Sequence, residues 1–304
     1  MSVVTQMQTP WQHRQSWING VRLHYVEAGS GPLVILLHGF PEFWYSWRHQ
    51  IPALAAAGFH VLAPDMRGYN LSEKPPGVSS YRIDVLIGDV IGLIDQAGEK
   101  RAAVVGHDWG GVVAWHVAIS HPQVVEKLVI LNAPHPAAYR REMCSWSQLI
   151  KSWYIFFFQL PGLPELLLSA GDFDWLDRML RRPPVRPEAF DSEDVRRYKQ
   201  AIARPGALTA ALNYYRAALR HLYRRPQRDE APINAPVLLL WGERDSYLSP
   251  RLTEGLNAWV PDLRVVRFPD ASHWIQNDAP ERVNHLMIDF LRDDSRSNKQ
   301  DKER

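Results

Sequence analysis

Hydrophobic positions along the chain fall into short continuous runs separated by longer stretches of mixed character. Two half-polar runs flank Asn19-Gly20 between residues 15 and 28, and Asn-Gly is the dipeptide that favours a tight hairpin turn. Continuous apolar runs follow at 33–37, 59–63, 102–105 and 125–131, while 44–57, 83–97 and 109–120 read as helices. Short buried strands alternating with helices predict a mostly parallel sheet covered on both faces.

After Pro134 the alternation lapses. Residues 135–230 show no clear strand, and their helical segments are broken by Pro161, Pro164, Pro183, Pro184, Pro187 and Pro205. Strand and helix then alternate again at 237–241, 251–259, 264–268 and 280–291. The pattern predicts an α/β core in two parts, 1–134 and 231–292, with eight strands in all. A helical lid is inserted at 135–230, and a polar tail at 293–304 frays.

Composition narrows the picture only a little. A net charge of +2 over 304 residues singles out neither a nucleic-acid surface nor an acidic partner. The one cysteine, Cys144, forms no internal disulfide, which fits a reducing, cytoplasmic setting. The N-terminal residues lack the charged-then-apolar pattern of a secretory leader. The longest apolar run, 153–160, falls short of the ~20 residues a membrane span needs. Twelve tryptophans imply that something apolar is enclosed.

The chemistry is concentrated after the strand at 102–105. Gly106-His107-Asp108-Trp109-Gly110-Gly111 joins that strand to a helix. This is the setting of a G-x-S-x-G nucleophile elbow, with Asp where Ser usually stands. The glycines relieve a turn so sharp that neighbouring Cβ atoms would collide. A carboxylate is ready to attack at neutral pH and gives an alkyl ester on the enzyme. The plainer role for Asp108 is a helix N-cap.

Two further residues complete a set in hydrolase order. Asp245 follows the strand at 237–241 and His273 the strand at 264–268, at the carboxyl ends where open parallel sheets place their sites. His273 is the candidate base toward water, and Asp245 the group that orients it. Glu243 and Asp270 are the competing acids, and a structural His and a turn Asp are the plainer readings. His38-Gly39-Phe40-Pro41 follows the first core strand. The N–H groups of Phe40 and Trp109 are the candidate oxyanion donors, and a cis Phe40–Pro41 bond is expected. His107 and Glu42 border the site without a catalytic part.

With these residues in place, the chain from about 17 to 291 resembles an epoxide hydrolase of the α/β-hydrolase superfamily. The motifs that carry the likeness are His38-Gly39-Phe40-Pro41-Glu42-Phe43-Trp44, Arg67-Gly68-Tyr69-Asn70-Leu71-Ser72, the elbow, and Asn213-Tyr214-Tyr215-Arg216. Asn70 departs from the family's usual Gly, with little consequence expected, since Asn tolerates the left-handed backbone. The resemblance implies that two lid tyrosines, Tyr154 and Tyr215, hold the epoxide oxygen and protonate the leaving alkoxide. Taken alone, either is a packing residue, and Tyr214 rivals Tyr215. It further implies a small apolar epoxide and water as reactants, no cofactor or metal, and a monomer or homodimer. A dehalogenase sharing the Asp nucleophile is the alternative, and a non-catalytic hydrolase-fold binding protein the remote one. A Ser esterase is disfavoured because no Ser occupies the elbow.

Overall fold

A computed structural model of the chain describes residues 11–143, 145–221 and 231–293. Cys144, the lid's end at 222–230 and the tail from 294 lie outside the described residues. Eight strands form one sheet: β1 (Gln12–Ile18), β2 (Val21–Ala28), β3 (Leu33–Leu37), β4 (His60–Pro64), β5 (Ala102–His107), β6 (Val125–Leu131), β7 (Val237–Gly242) and β8 (Leu263–Phe268). They lie in the order β1-β2-β4-β3-β5-β6-β7-β8. Pairing is antiparallel across β1–β2 and β2–β4 and parallel elsewhere.

Every residue of β3, β5 and β7 is buried. Alternate side chains of a strand point to opposite faces, so both faces must be covered. Helices α1 (Gln50–Ala56) and α11 (Pro280–Arg292) pack against each other, as do α2 (Ile83–Gln96) and α3 (Trp109–Ser120). Between β6 and β7 the described residues form six helices: α4 (Pro136–Glu142), α5 (Trp146–Lys151), α6 (Trp153–Phe157), α7 (Leu163–Arg181), α8 (Ser192–Ile202) and α9 (Ala207–His221). A short α10 (Ile275–Asp278) precedes α11. None of the helices in the described residues is long and apolar enough to cross a membrane.

Two elements differ from the sequence expectation. The helix expected at 251–259 is a pair of 3-10 turns, Pro250–Thr253 and Leu256–Ala258. Gly255, at φ 67°, reverses the backbone between them and prevents a continuous helix. The helix expected at 44–57 is likewise a 3-10 turn followed by α1.

The Arg67–Ser72 motif ties core to lid. Arg67 grips Asp89 with two hydrogen bonds, 2.7 and 2.6 Å, and also reaches the carbonyl of Asn19. The hydroxyl of Tyr214, on α9, donates to the Arg67 carbonyl at 2.7 Å. Asn70 has φ 37°, and its amide donates to Asp65 while its oxygen accepts from Arg204. A glycine there would supply the backbone but neither bond, so the substitution carries more consequence than its backbone alone suggests.

Both members of the Arg67–Asp89 pair are buried, and removing one partner of a buried pair costs about 3–5 kcal/mol. Arg67→Met should therefore destabilise the fold by that order in denaturant unfolding. Arg67→Met/Asp89→Leu should recover much of the loss; a double variant as unstable as the two single losses added would contradict it.

Candidate active site

At the elbow, Asp108 has φ 50° and ψ −120°, a region that only a tightly packed surround sustains. That surround is glycine. A Cβ on Gly110 would lie 2.1 Å from the Leu37 carbonyl oxygen, and one on Gly106 would lie 2.4 Å from that of Gly110. Gly39 does the same on the other side, where a Cβ would meet Asp108 Oδ1 at 2.5 Å. The Asp108 carboxylate does not cap α3. Its Oδ1 instead accepts from the Phe40 N–H at 2.8 Å. The Phe40–Pro41 bond is cis. Trp109 opens α3, so its N–H is among the first-turn donors that lack an intrahelical acceptor.

His273 stands between two carboxylates. Its Nδ1–H donates to Asp245 Oδ2 at 2.6 Å, and its Nε2 is 3.5 Å from Asp108 Oδ2. Neither competing acid reaches it. Glu243 lies near Arg267 and Asp270 pairs with Arg186. Tyr154 on α6 and Tyr215 on α9 have ring centroids 5.8 Å apart. Tyr215 also lies 5.5 Å from Phe40 and 5.0 Å from Trp109, edge-on to both rings. Tyr214 points elsewhere, into its bond with the Arg67 carbonyl. Phe158 and Trp175 complete an aromatic wall around Phe40.

Comparisons with known proteins place the chain in a family. The family model of the α/β hydrolase fold matches residues 32–280. The chain is 46% identical to the AB hydrolase superfamily protein YfhM of Bacillus subtilis, over 90% of this chain and 96% of that one. It is 37% identical to epoxide hydrolase 4 of Homo sapiens, over 91% and 78%. Its structure superposes on that of Bacillus megaterium epoxide hydrolase in complex with an inhibitor with a TM-score of 0.85, at 36% identity and covering 91% and 99%. The chain belongs to the epoxide hydrolase family.

In this epoxide hydrolase relative, three supporting groups escape sequence reasoning. Asn132, at the end of β6 with φ 40°, donates to Asp245 Oδ2 at 2.7 Å and accepts from the Gly242 N–H at 2.8 Å. The N–H groups of Tyr247 and Leu248 hold the other Asp245 oxygen, at 2.7 and 2.9 Å. The Tyr247 ring lies between Tyr154 and His273, 5.9 and 5.3 Å from each. His107 and Glu42 brace the same loop from below. His107 binds Glu42 through Nδ1 and the His273 carbonyl through Nε2, at 2.7 and 2.8 Å. A cavity of about 110 Å³ reaches His273, Tyr247 and Trp274 from the side of Met179 and Arg182.

Electrostatics follows the geometry. Burial opposes a charged His273, yet the Asp245 and Asp108 carboxylates push its pKa up to about 10. His273 and Asn132 hold Asp245 below the usual carboxylate range despite burial. Burial, aided by the Asp108 charge, lifts both Tyr154 and Tyr215 well above the ordinary phenol range. At neutral pH the site thus holds an imidazolium between two anions, facing two protonated phenols.

Removing one anion must weaken the hold on the imidazole proton. Asp108→Asn should lower the His273 pKa by about 1–3 units, read from the imidazole resonances in an NMR pH titration. An unmoved midpoint would show that Asp108 does not set the charge on this ring.

Proposed function

We propose that this protein opens small apolar epoxides to vicinal diols through a covalent ester on Asp108. The observation that carries the reading is the division of labour between the two Asp108 oxygens. Oδ1 is held by the Phe40 N–H, while Oδ2 is left toward His273.

The epoxide lies between Asp108 and the tyrosines of α6 and α9, with helices α4 to α9 acting as a lid. Asp108 Oδ2 attacks a ring carbon as the carbon–oxygen bond of the epoxide breaks. The alkoxide left behind is strongly basic, and Tyr154 and Tyr215 supply the proton it needs. Burial suits them to this, because it keeps their protons in place until a stronger base forms.

Esterification then changes His273. Asp108 ceases to be an anion, so one of the two charges that raise the ring's pKa disappears. The imidazolium releases its proton toward the tyrosinate, which restores the phenol and leaves a neutral base. His273 Nε2 takes a proton from water as the water oxygen adds to Cγ of Asp108. The oxyanion forms on Oδ1, at the N–H groups of Phe40 and Trp109. Collapse expels the diol, which takes its proton from His273; Asp108 retains the water oxygen and passes its remaining proton to His273, restoring the carboxylate and the imidazolium. Asp245, fixed by Asn132 and two backbone N–H groups, keeps the ring oriented. The cavity beside Met179 and Arg182 gives water a way to His273 while the alkyl group fills the lid side.

The dehalogenase alternative gains nothing from these contacts. A departing halide needs N–H donors rather than acids, and the paired groups set toward Asp108 are the two protonated phenols of Tyr154 and Tyr215.

In His273→Gln, the ester should form and persist, with hydrolysis slowed about 10²–10⁴-fold. Intact-protein mass spectrometry after mixing with an apolar epoxide such as styrene oxide would show the enzyme heavier by one substrate. Diol production without any adduct would refute the covalent route.

Tyr154→Phe/Tyr215→Phe should slow ester formation by a similar ~10²–10⁴ while leaving hydrolysis of ester already formed little changed. Stopped-flow measurement separates the two steps. Ester formation at the wild-type rate would remove both phenols from the mechanism.

A further inference from the structure

Among the described residues, eleven large apolar side chains are exposed, and nine of them fall within residues 146–167. Trp146, Ile150, Trp153, Phe156 and Leu160 recur at helical spacing along α5, α6 and the turn that follows, which places them on one face. Trp146 is 83% exposed, Ile150 69% and Trp153 64%. Leu163, Leu166 and Leu167, in the first turns of α7, are exposed as well.

The polar side chains of Gln148 and Ser152 point the other way. Gln148 and Ser152 are buried, and Gln148 binds the Tyr247 carbonyl and the Ser249 N–H. The only two charged residues in 146–167 also turn inward. Lys151 Nζ donates to the carbonyls of Asp245 and Leu248, and Glu165 pairs with Arg216 at 2.7 and 3.0 Å. The segment is amphipathic with its apolar side facing out.

We propose that this face is the interface of a homodimer, in which α5, α6 and the start of α7 pack against the same surface of a second copy. Size supports it. The six exposed side chains of α5, α6 and the following turn present on the order of 700 Å². That exceeds the roughly 300–600 Å² of the largest patch on a typical monomer and approaches the about 800 Å² per partner of a stable interface. Composition supports it too, since interface cores are rich in aromatics and poor in charge. The stripe of α5 and α6 set against its own copy also satisfies the self-complementarity of a two-fold contact. A lipid surface is a poorer match. Helices that lie on membranes set Lys and Arg toward the headgroups, and the single lysine here is engaged with the protein's own carbonyls. The interface backs onto α6, the helix that bears Tyr154.

Sedimentation velocity of the full chain at about 1–100 µM should give twice the chain mass, because association follows mass action. Ile150→Glu and Trp153→Glu, both at exposed positions, should each retain the circular dichroism of the wild type and weaken association at least ~10-fold, giving the monomer mass. A wild-type chain that stays monomeric across that range overturns the proposal, as does a dimer that both variants leave intact. So does a monomer that floats with phosphatidylcholine vesicles, which would assign the stripe to lipid.

Discussion

One imidazole held between two carboxylates is the constraint around which this molecule is arranged. Asp245 and Asp108 reach His273 from different strands, at 2.6 and 3.5 Å. Two like charges approach that closely only when a cation separates them, and an imidazolium survives burial only with anions beside it. The three groups are therefore mutually dependent. Their positions come from the ends of β5 and β7 and from the loop after β8, strands whose mutual register is fixed by the parallel ladder.

A buried charged row also needs its remaining hydrogen-bonding capacity satisfied. Asp245 accepts from Asn132, Tyr247 and Leu248 besides His273. Beneath it, burial disfavours a charged Glu42, but His107, Ser46 and the Gly39 N–H bring its pKa down to about 2. Glu42 thereby anchors both the oxyanion loop, through Gly39, and the His273 loop, through His107. A second buried carboxylate, Asp65, gathers His24, the Trp44 N–H and Asn70. These acids fix the loops that carry the candidate site residues.

Legibility in the sequence followed the range of the interactions. The elbow could be read because its demands are local: glycines at fixed offsets and an acid between a strand and a helix. Asp245 and His273 could be read because the ends of parallel strands are where sites form. Asn132 could not, since nothing around Leu131-Asn132-Ala133 reveals that its amide faces a carboxylate more than a hundred residues away. Tyr247 was hidden for the same reason. The helix expected at 251–259 failed because Gly255 takes a left-handed turn that apolar spacing does not register. The outward face of α5 and α6 was hidden most deeply. Periodicity locates an apolar stripe but does not say which side meets the protein, and only the inward bonds of Gln148 and Lys151 decide that.

A carboxylate nucleophile, as proposed, would require the tyrosines and the histidine to have opposite protonation habits. Attack by Asp108 would consume the negative charge that keeps His273 protonated, so the base would appear only once there is an ester to hydrolyse. A phenol with an ordinary pKa placed next to that imidazolium could lose its proton early, and the epoxide oxygen would then meet an anion instead of an acid. The packing of Tyr215 among Phe40, Phe158 and Trp109, and of Tyr154 against Phe158 and Tyr247, with the Asp108 charge nearby, prevents this by making both phenolates unfavourable. The apolar aromatic wall and the charged row are thus two halves of one device. In the proposed mechanism the first keeps an acid from ionising, and the second keeps a base from acting, until bond formation at Asp108 reverses both conditions.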